Sequence, residues 1–576
     1  MGERIDGEGR IRTPLDRAEV AQVISELAAE GVEAIAVCLV NSFTNPVHER
    51  AIQAIARDVA SGVDVCISYE VLPEIKEYER TSTTVINAYL VPIVSRYLER
   101  LSRELSTARI EAPLLLMQSN GGLTTAGDAA RAPCNIVESG PAGGVVGAQV
   151  LSRHLAFEDL ITFDMGGTTA KASLIEGGEV TRSLEYSVGA GIMIGSRLLT
   201  GAGYQLKVPA VDLAEVGAGG GSEVWIDPAG SLQIGPRSAG AEPGPVCYDH
   251  GGEIPTVTDA NLLLGYVNPD YLVGGALPLN ADRARRIFEV GIARPLGLSW
   301  ERAAYGAHQI AASNMIRAIR AVSTERGRDP RRYALFAIGG NGPLFACGIA
   351  RSLGGRHVVV PPAAGLFSAF GLLYADVEHH YSRTLRRVLS ECDPGEIGAS
   401  WRELEDAARV QLEGEGFPVD RIRLVRRASL HYQGQMFELA VPAPEGAIDR
   451  AALDTLSEAF GREHERTYGH RAGPEEPVEL VSIVLVGQGI PDSPRVPERL
   501  LLDGTGSRAD EPIRVRDAYF GPEIGWLTTP VIGRARVGSG RTGPFIVEEY
   551  DSTCVVPPDA AAKLDDYGNL RVTLSG

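Results

Sequence analysis

The chain has 576 residues, 44% of them hydrophobic and 22% charged, a balance that excludes a disordered or fibrous chain. Asp and Glu number 74 against 55 Lys and Arg, and the net charge of -19 argues against nucleic acid or an anionic membrane as a partner. At roughly 150 residues per domain the length suggests about four domains, and the compositional outlier is glycine, 67 residues that fall in clusters.

The opening residues 1–16 are charged and lack an apolar core, so they do not read as a secretory signal. The seven cysteines are scattered with no CxxC, which fits a reducing, cytoplasmic setting. Residues 16–36 begin with helical spacing (Val20, Val23, Ile24, Leu27, Ala28) and run into a buried strand at Val32–Val40. A helix near 47–59 and a strand at Val63–Tyr69 follow, an α/β alternation. A long helical pattern covers 82–106, where Pro92 should kink or break it. Leu114–Ser119 reads as a strand ended by Asn120-Gly121-Gly122. Asp159–Thr169 is an apolar strand entering a Gly-Gly turn, and Lys171–Val180 is the returning strand of a hairpin. Residues 200–256, rich in Gly and Pro, form an insertion or long loop region. Helices resume at 282–290 and 300–324, and Tyr333–Gly354 is a strand, a glycine turn and a helix. The uncharged run Val358–Ala375 touches the lower length for a membrane span, but its prolines and glycines favour a strand, a turn and a short helix. After about residue 386 a helix at 399–415 precedes a strand-rich tail with alternating runs at Leu430–Val441 and Val478–Val486. Pro491–Arg499 reads as a linker, and 512–576 as short strands and turns.

Four glycine strings carry candidate chemistry, each with a plainer alternative. Asp164-Met165-Gly166-Gly167-Thr168-Thr169 sets a carboxylate at a strand end before a turn whose N–H groups can form an anion nest; the alternative is an ordinary hairpin. Glu138-Ser139-Gly140-Pro141-Ala142-Gly143-Gly144 leads into an apolar helix whose start suits an anion, or else permits close helix packing. Gly217-Ala218-Gly219-Gly220-Gly221-Ser222 allows a ligand near the backbone or is a plain loop; Asp212 and Glu215 just before it could coordinate a cation or simply be solvated. Gly339-Gly340-Asn341-Gly342 lies between strand and helix, where a nucleoside could sit, or is a simple turn. Glu378-His379-His380 and His464 with His470 are metal ligands by type but lack zinc-site spacing, and Cys134 and Cys347 read as core residues. No P-loop and no GxSxG elbow occurs.

Together these strings resemble the hydantoinase A/5-oxoprolinase family, in order from LLLMQSNGGLTT, NIVESGPAGGVVGA and ITFDMGGTTAKASLI through GAGGGSEVWID to NMIRAIRAVSTERGRDP, FAIGGNGPLFACGIARSLG, LHYQGQMFEL and GPFIVEEYDSTCVVPP. The resemblance implies an α/β, actin-like ATPase core of two ribonuclease-H-like domains: a partial first domain at 1–157, a second with a Gly-rich insertion at 158–386, and a β-rich α+β region at 387–576. It implies ATP and Mg2+ as cofactors. Asp164 would orient Mg2+ or water and act in catalysis with Thr168. Gly166, Gly167 and Thr169 would bind phosphate, with Gly219 and Gly220 nearby. Glu138, Ser139, Gly140, Gly143 and Gly144 would line the phosphate side, and Gly339, Gly340 and Gly342 the adenosine. The implied reaction is phosphoryl transfer to an amide or ketone oxygen, giving an enol- or imidate-type phosphate, with positioning and charge neutralisation as the source of catalysis. Hydrolysis of a cyclic amide, or carboxylation of a ketone, would then need a B-type partner chain in a hetero-oligomer.

The sequence departs from the family pattern in three places. The family's first Asp-x-Gly-Gly-Thr hairpin is not found, so the first domain is expected to be truncated at its start. Lys171 stands where the family has Asp. Ala214 stands at a usual His, and Asn341 and Phe345 alter the usual GGAGPLHA. These departures motivate one reading outside enzymes, a silent nucleotide-binding or scaffold subunit.

Overall fold

The structure, a computed structural model, describes residues 2–155, 157–183, 185–188, 203–270, 272–435, 437–473, 475–492 and 513–575. Most of the expected linker at Pro491–Arg499 lies outside the described residues, as do the first residues of the 200–256 region.

The centre is a sheet whose first five strands run in the order Ala214–Val216, Ala170–Glu176, Leu160–Met165, Ala334–Ile338 and His357–Val360. Leu160–Met165, Ala334–Ile338 and His357–Val360 are parallel, and Ala170–Glu176 returns antiparallel. In chain order this is 3-2-1-4-5 with the second strand reversed, the arrangement of a ribonuclease-H-like domain. The parallel strands are apolar on both faces because both faces are covered. Ile161, Phe163, Leu335 and Ala337 face one core, against helices Trp300–Val322 and Gly342–Ser352. Leu160, Phe336, Ile338 and Val359 face the other, against helix Ser139–Ser152. Beyond His357–Val360 the sheet continues with Leu570–Leu574, Ala560–Leu564 and Arg541–Thr542, so the C-terminal residues complete it. The apolar run from Val358 resolves into strand His357–Val360 and helix Phe367–Gly371, as its prolines and glycines require.

A second sheet joins residues 115–125 to residues 377–489. Leu115–Met117 pairs with Leu123–Thr125, Leu123 pairs in parallel with Val377, and strand Val377–Val388 pairs with Val478–Gly489 and, through it, Ile422–Tyr432. Val377–Val388 thus runs through residue 386, where the sequence places a boundary.

Of the two outcomes expected at Pro92 a break does not occur: its helix runs from Glu77 to Thr107. The proline is buried, and packing of the helix on Ala34–Val37 and Asp64–Ile67 offsets a lost hydrogen bond and ring clash of ~3 kcal/mol. The run Leu430–Val441 is not one strand. Ile422–Tyr432 ends in a turn where Gly434 has φ of +88°, and Leu439–Pro442 folds back on it. Helix Arg450–Tyr468 stands in the tail read as strand-rich; Asp449 caps it and Leu453, Leu456 and Phe460 bury one face.

Candidate functional site

The site is built where two parallel strands end side by side. Asp164 pairs in register with Ile338, so the turns that follow each strand emerge at the same level, at the carboxyl edge where open α/β sheets take ligands. In the first turn the Gly166 N–H donates to the Thr169 carbonyl at 3.1 Å. Gly167 and Thr168 are exposed, and their N–H groups have no hydrogen-bond partner among the described residues. A Cβ built on Gly166 or Gly167 would meet nothing within 4 Å. The turn therefore offers free donors to open space, as an anion nest requires.

Behind this turn lies the third glycine string. The Gly220 and Gly221 N–H groups donate to the carbonyls of Gly166 and Gly167 at 3.1 and 2.6 Å. A Cβ on Gly219 would sit 2.5 Å from the Gly167 carbonyl carbon, and one on Gly220 would sit 2.7 Å from Asn341 Nδ2. Gly219 and Gly220 are buried, so they support the turn from behind instead of lining its open side. The Thr258 hydroxyl fixes them by donating to the Gly220 carbonyl at 2.9 Å.

The fourth string closes the other side. Gly339 has φ of +80°, and a Cβ there would come within 2.5 Å of Asp164 Oδ1, so only glycine fits. Asn341 ties the two turns together: its N–H donates to the Met165 carbonyl at 3.0 Å and its Nδ2 to the Gly166 carbonyl at 3.2 Å. Next to Gly340 stands Asp551, whose Oδ2 accepts from the Gly365 N–H at 2.7 Å.

Charge is concentrated around the first turn. The Asp164 carboxylate accepts from Ser368 Oγ at 3.1 Å. Burial raises its pKa, opposed by the Ser368 hydrogen bond and by Lys171. Lys171 Nζ lies 3.3 Å from Glu138 Oε2 and 3.6 Å from Glu215 Oε1. Glu138 is likewise raised by burial; Lys171 opposes the shift and Glu215 adds to it. Three carboxylates against one lysine leave the site negative. A polyanion would need a cation with it, and hard carboxylate oxygens suit Mg2+. Exposed Gly140 lies in the first turn of helix Ser139–Ser152, whose start favours negative charge.

The remaining expected residues divide by burial. Gly143 and Gly144 are buried: a Cβ on Gly143 would sit 2.5 Å from the Ser368 carbonyl oxygen, and one on Gly144 2.8 Å from Ser368 Oγ. These two glycines serve helix packing, the plainer of the two readings of that string. Gly342 is buried at the start of its helix, with its N–H 3.3 Å from the Gly339 carbonyl. Asp212 pairs with Arg326 away from the turn, whereas Glu215 belongs to the cluster. Ala214 is core, and Phe345 stacks on buried His308 at 4.2 Å. Burial pushes the Cys134 and Cys347 thiols up to about 12, which leaves them unreactive. His464 packs against Tyr432 and Phe460. The sequence reading missed Ser368, Thr258 and Asp551. Asp551 lies in the quoted string GPFIVEEYDSTCVVPP, which was its only signal.

Among the described residues no helix is long and apolar enough to cross a membrane. The chain matches three family models: the hydantoinase/oxoprolinase N-terminal region over residues 1–60, hydantoinase/oxoprolinase over 80–381, and the hydantoinase/oxoprolinase C-terminal domain over 390–572. The expected truncation of the first domain is not supported, because the N-terminal region model is matched. An uncharacterised protein of Methanocaldococcus jannaschii is 38% identical over 99% of this chain and 81% of its own length. The caprolactamase subunit alpha of Pseudomonas jessenii is 35% identical over 100% of this chain and 81% of its own. Among solved structures, the ATP-dependent caprolactamase from Pseudomonas jessenii superposes with a TM-score of 0.85 at 34% identity, covering 100% of this chain and 82% of that one. Nucleotide-free acetone carboxylase gives 0.76 at 28% identity, covering 100% and 81%.

Proposed function

Because the chain belongs to the hydantoinase/oxoprolinase family, we propose that it is the A-type subunit of an ATP-dependent enzyme that opens a cyclic amide. The observation that carries this reading is the turn at Gly166-Gly167-Thr168, with the exposed Gly167 and Thr168 N–H groups free beside the half-buried Asp164 carboxylate. ATP is a substrate here: its γ-phosphoryl group moves to the amide oxygen, which turns a poor leaving group into phosphate and lets water add to the carbon. In this scheme the Gly167 and Thr168 N–H groups bind the phosphate oxygens as charge develops on them. Gly339 and Gly340 let the adenosine side lie close to the backbone, and Asn341 holds the two loops at a fixed separation. Asp164, held by Ser368, is the carboxylate that would hold Mg2+, with the Glu138 and Glu215 carboxylates paired to Lys171 beside it. Lys171, at the family's usual acid position, bridges Glu138 and Glu215 as a cation and is not a metal ligand. Water addition falls to a B-type partner subunit.

Carboxylation of a ketone uses the same phosphoryl-transfer logic, and the likeness to acetone carboxylase supports it as the second reading. The two are separated by assaying ATP hydrolysis with the chain and a B-type hydantoinase subunit, offering lactams, hydantoins and ketones in turn. A cyclic amide should stimulate ADP release by at least about tenfold, with ring-opened amino acid formed in equal amount. Stimulation by ketone and bicarbonate alone transfers the assignment to the second reading. No stimulation by any of them, with ATP bound, leaves the silent subunit.

A further inference from the structure

Away from the glycine turns, a cavity of about 910 Å3 opens between residues 64–73, the long helix Glu77–Thr107 and the second sheet. Asp128 and His379 lie on its wall and Glu415 stands against them, one ligand atom of each lying within 4.8 Å of the other two. They come from three separate parts of the chain. Asp128 lies in helix Ala126–Arg131, His379 on strand Val377–Val388, and Glu415 at the end of helix Pro394–Gly414. His379 is buried, with 8% of its surface exposed. Its Nε2 is 2.9 Å from Glu415 Oε2. The Thr125 hydroxyl donates to Asp128 Oδ2 at 2.8 Å, and Arg131 pairs with the other Asp128 oxygen.

A second observation marks the point itself. Gln411 Nε2 lies 3.5 Å from Asp128 Oδ2, 3.2 and 3.4 Å from the two His379 nitrogens, and 3.4 Å from Glu415 Oε1. An amide nitrogen has two hydrogens and faces two carboxylate oxygens and an imidazole that can supply one acceptor nitrogen, all at 3.2 Å or more. The Tyr381 hydroxyl donates to Gln411 Oε1 at 2.6 Å and so orients the amide. A weak donor thus stands among groups that a cation would satisfy fully. We propose that Asp128, His379 and Glu415 form a divalent-metal site of the zinc class, with an open coordination position facing the cavity. One imidazole and two carboxylates favour Zn2+ over Mg2+ or Ca2+, which prefer oxygen-only sets. Three protein ligands with a free fourth position is the form in which zinc binds an exchangeable oxygen ligand. The cavity would take a ligand that presents such an oxygen, a carboxylate or carbonyl.

The proposal does not depend on nucleotide binding. Its test is calorimetry of the full chain, stripped by a chelator, titrated with Zn2+ in excess Mg2+, with Co2+ absorption as a second readout. One equivalent should bind with Kd below about 1 µM. Glu415→Gln, which keeps a hydrogen bond to His379 and so spares folding, should weaken binding by about 100-fold or more and abolish the Co2+ ligand-field bands; His379→Ala should do the same. Failure to bind, or binding that survives in Glu415→Gln, overturns the site.

Discussion

Asp164→Asn should reduce ATP turnover by at least about 100-fold while leaving the chain as stable as the native protein, or more so, at neutral pH. The substitution keeps an oxygen for Ser368 and removes only the charge. Asp164 is raised by burial, so its ionised form is disfavoured in the folded state. Below the ordinary carboxylate range the group is protonated in both states and costs nothing. As pH rises through the unfolded pKa, the unfolded chain releases the proton first and native stability falls, until the folded pKa is passed. The native protein carries this cost at pH 7 and the variant does not. Thermal melts of both from pH 3 to 8, beside steady-state ATP hydrolysis, check the two halves together. A variant with native turnover, or one less stable at pH 7 than at pH 4 relative to the native chain, contradicts the role given to this carboxylate.

Among the described glycines, Gly371→Ala should be the most damaging alanine substitution. Its Cβ would stand 1.6 Å from the Gly143 carbonyl oxygen, backbone against backbone, with no flexible side chain to move aside. Gly143, Gly144 and Gly147 form the matching surface on helix Ser139–Ser152, and a Cβ on Gly147 would already touch Phe367 at 2.9 Å. The helices must separate, at about 2–4 kcal/mol, which lowers the melting temperature by about 2–3 °C. Separation also withdraws Ser368, in the same short helix as Gly371, from Asp164, so ATP turnover should fall as well. Gly348→Ala is the control: it lies in helix Gly342–Ser352 with nothing within 4 Å of its Cβ, and should be neutral or stabilising by about 1 kcal/mol. Equal melting temperatures for Gly371→Ala and the native chain would refute the packing argument.

The glycine strings were legible because a backbone that must pass within about 3 Å of another backbone accepts little besides glycine. That necessity does not say which backbone approaches. At Gly339 and Gly219 it is the first turn, and at Gly143 it is a neighbouring helix, and nothing local to the sequence separates the cases. Ser368 meets Asp164 across 204 residues, and Asp551 meets Gly365 across 186. No spacing rule connects partners that far apart. Alternation misled at Leu430–Val441 because polar and apolar residues keep alternating through the Gly434 turn, so a hairpin reads as a strand. The central strands were clear for the opposite reason: both faces are covered, so Leu160–Met165 and Ala334–Ile338 are apolar almost throughout. The helix Arg450–Tyr468 did carry its signal, Asp449 before Leu453, Leu456 and Phe460, inside a tail whose other runs alternate.

If the Gly166-Gly167-Thr168 turn binds the phosphates of ATP, it does so together with a divalent cation. Calorimetry of ATP binding to this chain, with Mg2+ and then with excess chelator, tests it most directly. A Kd in the micromolar range, about -8 kcal/mol, is expected with Mg2+, and a loss of affinity of at least about 100-fold in chelator, because the net-negative site then meets the phosphates without a cation. Equal affinity with and without Mg2+, or no binding in either, would contradict it.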